Sequence, residues 1–152
     1  MNKAIYFDMD GTIANFYGVE NWLDYLIEGN PFPYAVAKPL INMNALARRL
    51  NTLKRKGWTI GIVSWLAKNS NAEFDTKVIT AKREWLKKHL ASVEFDEINI
   101  VPYGTPKSTV PNVKNAILFD DENPNVEEWE RNGGKAFNPE KIMEVLTWAR
   151  MN

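Results

Sequence analysis

The sequence predicts an α/β protein: a parallel sheet covered by helices on both faces, in three layers. Three observations carry that prediction. Short, continuous apolar runs recur along the chain, as strands buried on both faces require. Between them lie segments with apolar residues at helical spacing. The runs also end in polar residues at the side of the sheet where α/β proteins bind ligands.

The elements follow in order. Ala4 to Phe7 is the first strand, ending at Asp8. Trp58 to Val63 is the second, ending at Ser64; Ile98 to Val101 is the third; Ala116 to Phe119 is the fourth, ending at Asp120-Asp121; and Lys135 to Phe137 is a short fifth. Leu40 to Lys56 carries apolar residues near positions 40, 43, 46, 50 and 53 and stops at Gly57. Val78 to Leu90 repeats the pattern, and its basic residues Lys82-Arg83 and Lys87-Lys88 read as a solvated outer face. Asn125 to Arg131 and Pro139 to Met151 complete the helices, with Pro139 at a first-turn position.

Residues 13–39 break this rhythm. They hold Phe16, Tyr17, Trp22, Tyr25, Phe32 and Tyr34, a helical piece around Asn21 to Glu28, and the turn Gly29 to Pro33. The segment reads as a flap or miniature cap inserted after the first strand. No repeat or linker divides the chain, so residues 1–152 are expected to form one domain.

Composition narrows the function classes. Lys plus Arg and Asp plus Glu both total 19, giving zero formal charge. That argues against binding duplex nucleic acid or an anionic membrane broadly, while leaving room for a local phosphate pocket. With no Cys and a single His, at position 89, thiolate and His-rich metal sites are excluded. No apolar run approaches a membrane span, and a strand-like run begins too early to leave room for a signal peptide. A cytoplasmic location is the simplest expectation.

The chemistry concentrates in Asp8-Met9-Asp10-Gly11-Thr12. Two carboxylates just past a strand end can reach one cation and one phosphoryl group. Gly11 permits a sharp turn, and Thr12 offers a hydroxyl and an amide to phosphate oxygens. A calcium loop would need a Glu where Tyr17 stands. Ser64 offers a hydroxyl to a phosphoryl oxygen. Asp120-Asp121 are costly to hold together without compensation, which a Mg²⁺ shared with Asp8 would give. Lys107 follows the third strand and suits neutralisation of a phosphoryl group; Lys114 lies at the wrong end of the sheet.

In type and order these residues resemble the haloacid-dehalogenase-like superfamily: Asp-x-Asp-Gly-Thr, then Ser, Lys and an acidic pair. Within it, the Asp-Met-Asp-Gly start, the early insertion and Phe119-Asp120-Asp121 look most like the 5'(3')-deoxyribonucleotidase group and its small bacterial and phage-type relatives. The resemblance implies a Rossmann-like fold and a Mg²⁺-dependent phosphatase. Asp8 would be the nucleophile and Asp10 the acid/base, with Asp8, the Asp10 backbone carbonyl and Asp121 on the metal. Asp120 would be a ligand or stand behind one; Thr12, Ser64 and Lys107 would bind phosphate.

The expected substrate is a small phosphorylated molecule, with a nucleotide first. A sugar phosphate, a nucleic-acid 3'-phosphate end or a phosphoprotein are alternatives. Phe16, Tyr17 and Trp22 are placed to close over a planar group, and Trp65 either stacks on a base or packs under its loop. A phospho-acceptor signalling domain fits less well, since its acidic pair follows the first strand.

Overall fold

The computed structural model describes residues 3–152. The elements run β1 (Ala4–Phe7), β2 (Ala14–Asn15), α1 (Trp22–Ile27), α2 (Phe32–Val36), β3 (Lys38–Pro39), α3 (Met43–Arg55), β4 (Thr59–Trp65), α4 (Ala72–His89), β5 (Glu97–Val101), β6 (Ile117–Phe119), α5 (Asn123–Arg131), β7 (Lys135–Phe137) and α6 (Ile142–Arg150). The main sheet has the order β5-β4-β1-β6-β7, and each of its neighbouring pairs is parallel. From the central β1 the chain builds outward through β4 and β5, then returns to lay β6 and β7 on the other side. That reversal opens a crevice at the carboxyl ends of β1 and β6.

Alternation along the strands divides the core. Ile5, Phe7, Ile60 and Ile62 point to one face and pack with Leu46, Leu50 and Leu53 of α3, Trp85 and Leu86 of α4, and Leu146 of α6. Ala4, Tyr6, Val63 and Leu118 point to the other, under Trp129 of α5. Burial of each large apolar side chain contributes about 1.5–3 kcal/mol, so both faces drive assembly of the layers. The expected three-layer α/β arrangement is the one found.

Boundaries shift where local chemistry outweighs the apolar repeat. Helix α4 starts at Ala72, well before Val78, because the Asn71 side chain accepts the Phe74 amide at 2.9 Å. Its first turns are too polar to show a repeat. Helix α3 begins after Leu40, with Asn42 accepting from the Ala45 amide at 3.0 Å. Strand β4 continues through Ser64 to Trp65.

The insertion is helical where a turn was expected: Phe32 and Pro33 open α2, with a proline in its first turn. Its ends are tied by the antiparallel pair β2–β3. No helix among the described residues is long and apolar enough to cross a membrane.

Candidate active site

The Phe7–Phe119 pairing of β1 and β6 brings Asp8 beside Asp120, and the Asp8 amide donates to the Phe119 carbonyl at 2.9 Å. After β1 the chain folds tightly: the Met9 carbonyl accepts the amides of Thr12, Ile13 and Ala14 at 3.0–3.1 Å. The Met9 side chain is buried in the core. Gly11 turns with φ +82°, and a Cβ there would collide with the Asp121 carboxylate.

Carboxylate oxygens of Asp8, Asp120 and Asp121 can all lie within 4.8 Å of one another. Lys107, on a 3-10 turn from Lys107 to Thr109, balances part of this charge. Its Nζ lies 2.8 Å from Asp8 Oδ1 and 2.7 Å from Asp120 Oδ2. Two of its three N–H groups are thereby used, leaving one for an incoming anion. Glu128 of α5 accepts from the Ser108 amide at 3.1 Å and also from its hydroxyl, holding the turn.

The acidic pair divides by its partners. Asp120 accepts from Lys107, from Asn125 Nδ2 at 3.2 Å and from the Glu122 amide at 2.9 Å. Asp121 instead faces Thr12, whose Oγ1 lies 3.2 Å from Asp121 Oδ1 and 2.9 Å from Asp8 Oδ2, and it has no cationic partner among the described residues. Burial, and then the charge of Asp8, raise both acids, Asp121 to about 7, with Lys107 holding Asp120 down in part. A cluster of hard oxygen donors in which burial and then mutual repulsion raise Asp120 and Asp121 fits Mg²⁺, which would relieve that repulsion.

Thr12 departs from expectation. Its amide is spent on Met9 and its hydroxyl on the carboxylates, so it orients the acids rather than offering a phosphate cradle. Ser64 is fully buried, and its Oγ accepts from Lys82 at 2.7 Å. Trp65 packs: its Nε1 donates to the Thr105 carbonyl at 2.8 Å, and its ring lies 5.4 Å from Lys107 Nζ. It thus supports the loop that carries Lys107.

The insertion aromatics separate as well. Phe16 is only 3% exposed, its ring tilted against Tyr34 at 4.5 Å and lying 5.4 Å from Trp22. Together with Phe74 and Val78 it fixes the insertion to α4, so it does not close over the mouth. Trp22 is half-buried and meets Tyr17 edge-on. Tyr17 keeps 51% exposure, and its phenol is raised by burial and then by Asp10, Asp121 and Asp8. Of the three, Tyr17 is the one that presents an open ring beside the acids.

The solvated basic face expected on α4 is corrected at Lys82, whose side chain is 1% exposed. Its Nζ lies 3.0 Å from Asp10 Oδ2, 2.7 Å from Ser64 Oγ and 2.7 Å from the Trp65 carbonyl. The helical spacing Val78–Lys82–Trp85 places Lys82 on the buried stripe, a signal that the adjacent basic residues masked. Burial raises the Asp10 carboxyl against the lowering effect of Lys82.

No protein-family model and no curated protein sequence matches the chain. Solved structures do. The D,D-heptose 1,7-bisphosphate phosphatase of Burkholderia thailandensis superposes with a TM-score of 0.55 at 13% identity, over 88% of this chain and 75% of its own. The B. bronchiseptica enzyme of the same name, solved with magnesium and phosphate, gives 0.58 at 14% identity, over 88% and 78%. At such identities the likeness establishes a shared fold, the one implied by the haloacid-dehalogenase-like resemblance.

Proposed function

We propose that the protein is a Mg²⁺-dependent phosphomonoester hydrolase that works through an aspartyl phosphate on Asp8. The observation that carries this reading is the placement of Asp8. It lies at the carboxyl end of the central strand, one oxygen held by Lys107 and the other by Thr12, with two further acids within reach of the same cation.

In the first step a carboxylate oxygen of Asp8 attacks phosphorus, forming an O–P bond as the bond to the leaving oxygen breaks. Asp10 gives its proton to that oxygen. In the second, water attacks the phosphorus of the aspartyl phosphate, loses a proton to Asp10, and frees Asp8 and inorganic phosphate. The free N–H of Lys107 faces the charge on the transferring group. Asp8, Asp121 and the Asp10 backbone carbonyl are the groups to hold Mg²⁺, with Asp120 retained by Lys107 behind them. The bound ion supplies positive charge that lets a carboxylate approach a phosphate ester.

For substrate, the reading is a nucleotide, with the open ring of Tyr17 available to stack on a base. A sugar phosphate is the second reading, favoured by the names of the two similar structures. Turnover of nucleoside 5'- and 3'-monophosphates, sugar mono- and bisphosphates and phosphorylated oligonucleotides with Mg²⁺ separates them. Acid-quench trapping of a phosphorylated Asp8 tests the chemistry; no turnover of any ester would overturn it.

A further inference from the structure

We propose that Lys82 is the positioning residue for Asp10, fixing the acid/base carboxyl against the rigid end of β4; the inference rests on the phosphatase reading above. An ammonium has three N–H groups, and Lys82 uses all three, on Asp10 Oδ2, Ser64 Oγ and the Trp65 carbonyl. None remains for a phosphate, in contrast to Lys107. Two of the three partners belong to β4, the strand paired with β1, and the third is the Asp10 carboxylate on the loop after β1. The tripod therefore transmits the geometry of the sheet to a side chain on the loop after β1.

The tripod selects which Asp10 oxygen works. Oδ2 is held by Lys82, and among the described residues nothing holds Oδ1, while the Asp10 side chain keeps 19% exposure. Oδ1 is left to meet the leaving oxygen and then the attacking water. Tyr34 covers the ammonium with its ring centroid 5.1 Å from Nζ, and Tyr34 packs on Phe16 of the insertion. The insertion thus acts on the chemistry by holding α4 and Lys82 in place. Ser64 takes a different part from the one expected of it: it anchors Lys82.

A series of aryl phosphates with leaving groups of graded acidity, assayed with Mg²⁺, tests this. General acid catalysis is worth roughly 10²–10⁴-fold, and only where the leaving oxygen needs a proton. Lys82→Met should lower kcat/KM for phenyl phosphate by about 10²-fold or more, and for 2,4-dinitrophenyl phosphate by less than about 10-fold. With the latter a burst should appear, because hydrolysis of the phosphoenzyme still depends on Asp10. Lys82→Arg, which keeps the charge, should recover part of the loss on phenyl phosphate.

An equal loss across the series would overturn the proposal. So would a rise in KM alone with weaker inhibition by inorganic phosphate, which would make Lys82 a phosphate ligand. If Lys82→Met does not fold, Lys82→Gln carries the same comparison, and failure of both to fold would make Lys82 a structural ion pair and end the proposal. Absence of turnover by the unaltered protein counts against the phosphatase reading instead.

Discussion

Lys107 lies 2.8 Å from Asp8, the two groups almost wholly withdrawn from solvent, and the same ammonium reaches Asp120 at 2.7 Å. One cation therefore faces two carboxylates, with Asp121 beside them and, among the described residues, without a basic partner. The cluster is short of positive charge as it stands. That imbalance connects stability, metal binding and chemistry.

Replacing the proposed nucleophile is the first check. Asp8→Asn keeps the shape and one acceptor oxygen for Lys107, while its NH₂ can donate to the Thr12 hydroxyl, so circular dichroism should be unchanged. Turnover should fall by about 10⁴-fold or more, the scale seen when a nucleophile is removed. Near-normal metal-dependent activity in this variant would refute the assignment.

Lys107→Met should destabilise the metal-free protein by roughly 3–5 kcal/mol, since it leaves buried carboxylates uncompensated. Urea unfolding measures the loss. Added Mg²⁺ should restore part of the stability without restoring activity; equal stability of both proteins would show that the ion pairs carry little weight.

The acidic pair sets a pH dependence. Burial and the charge of Asp8 raise Asp121 to about 7, above its unfolded value near 4. Between those values the folded state binds more protons than the unfolded one, so stability falls as pH rises through about 7. The metal-free protein should melt several degrees lower at pH 8 than at pH 5, and Mg²⁺ should close that gap at pH 8. For the same reason apparent Mg²⁺ affinity should weaken as pH drops below about 7. Calorimetric titration at several pH values reads this directly.

Gly11→Ala places a Cβ at φ +82° and drives it into the Asp121 carboxylate. The left-handed backbone alone costs about 1–2 kcal/mol. Activity should fall further than stability, with an increased Mg²⁺ requirement. An unaltered requirement would show that Asp121 is not on the metal.

Tyr17→Ala addresses the substrate. Stacking on a base is worth about 1–3 kcal/mol, so KM for a nucleotide should rise roughly 5- to 150-fold while KM for a sugar phosphate holds. An unchanged KM for the nucleotide, or an equal rise for both, would end the base-stacking role of Tyr17.

Much of the site was legible because it lies at strand ends. An apolar run followed by Asp8-Met9-Asp10, and another by Asp120-Asp121, leave few ways to place the acids in a parallel sheet, and β1 and β6 do lie side by side. Lys107 was legible for the same reason. Lys82 was not, since on α4 it stands among exposed basic residues and only the packing of Val78 and Trp85 turns it inward. Phe16 and Tyr17 are adjacent aromatics with nothing local to separate them; the fold buries one in the contact with α4 and leaves the other open.

The sequence by itself determined the α/β class, the strand that carries Asp8, and the set of acids and Lys107 gathered at the carboxyl ends. Apolar periodicity and strand-end polarity are local properties that a chain displays before it folds. Only the tertiary structure decided that Asp120 pairs with Lys107 while Asp121 meets the neutral Thr12, that Thr12 serves carboxylates, and that Lys82 holds Asp10 and Ser64. Those are choices among partners distant in sequence, made when burial strips water from each charged group and leaves it the nearest opposite charge or hydrogen-bond partner.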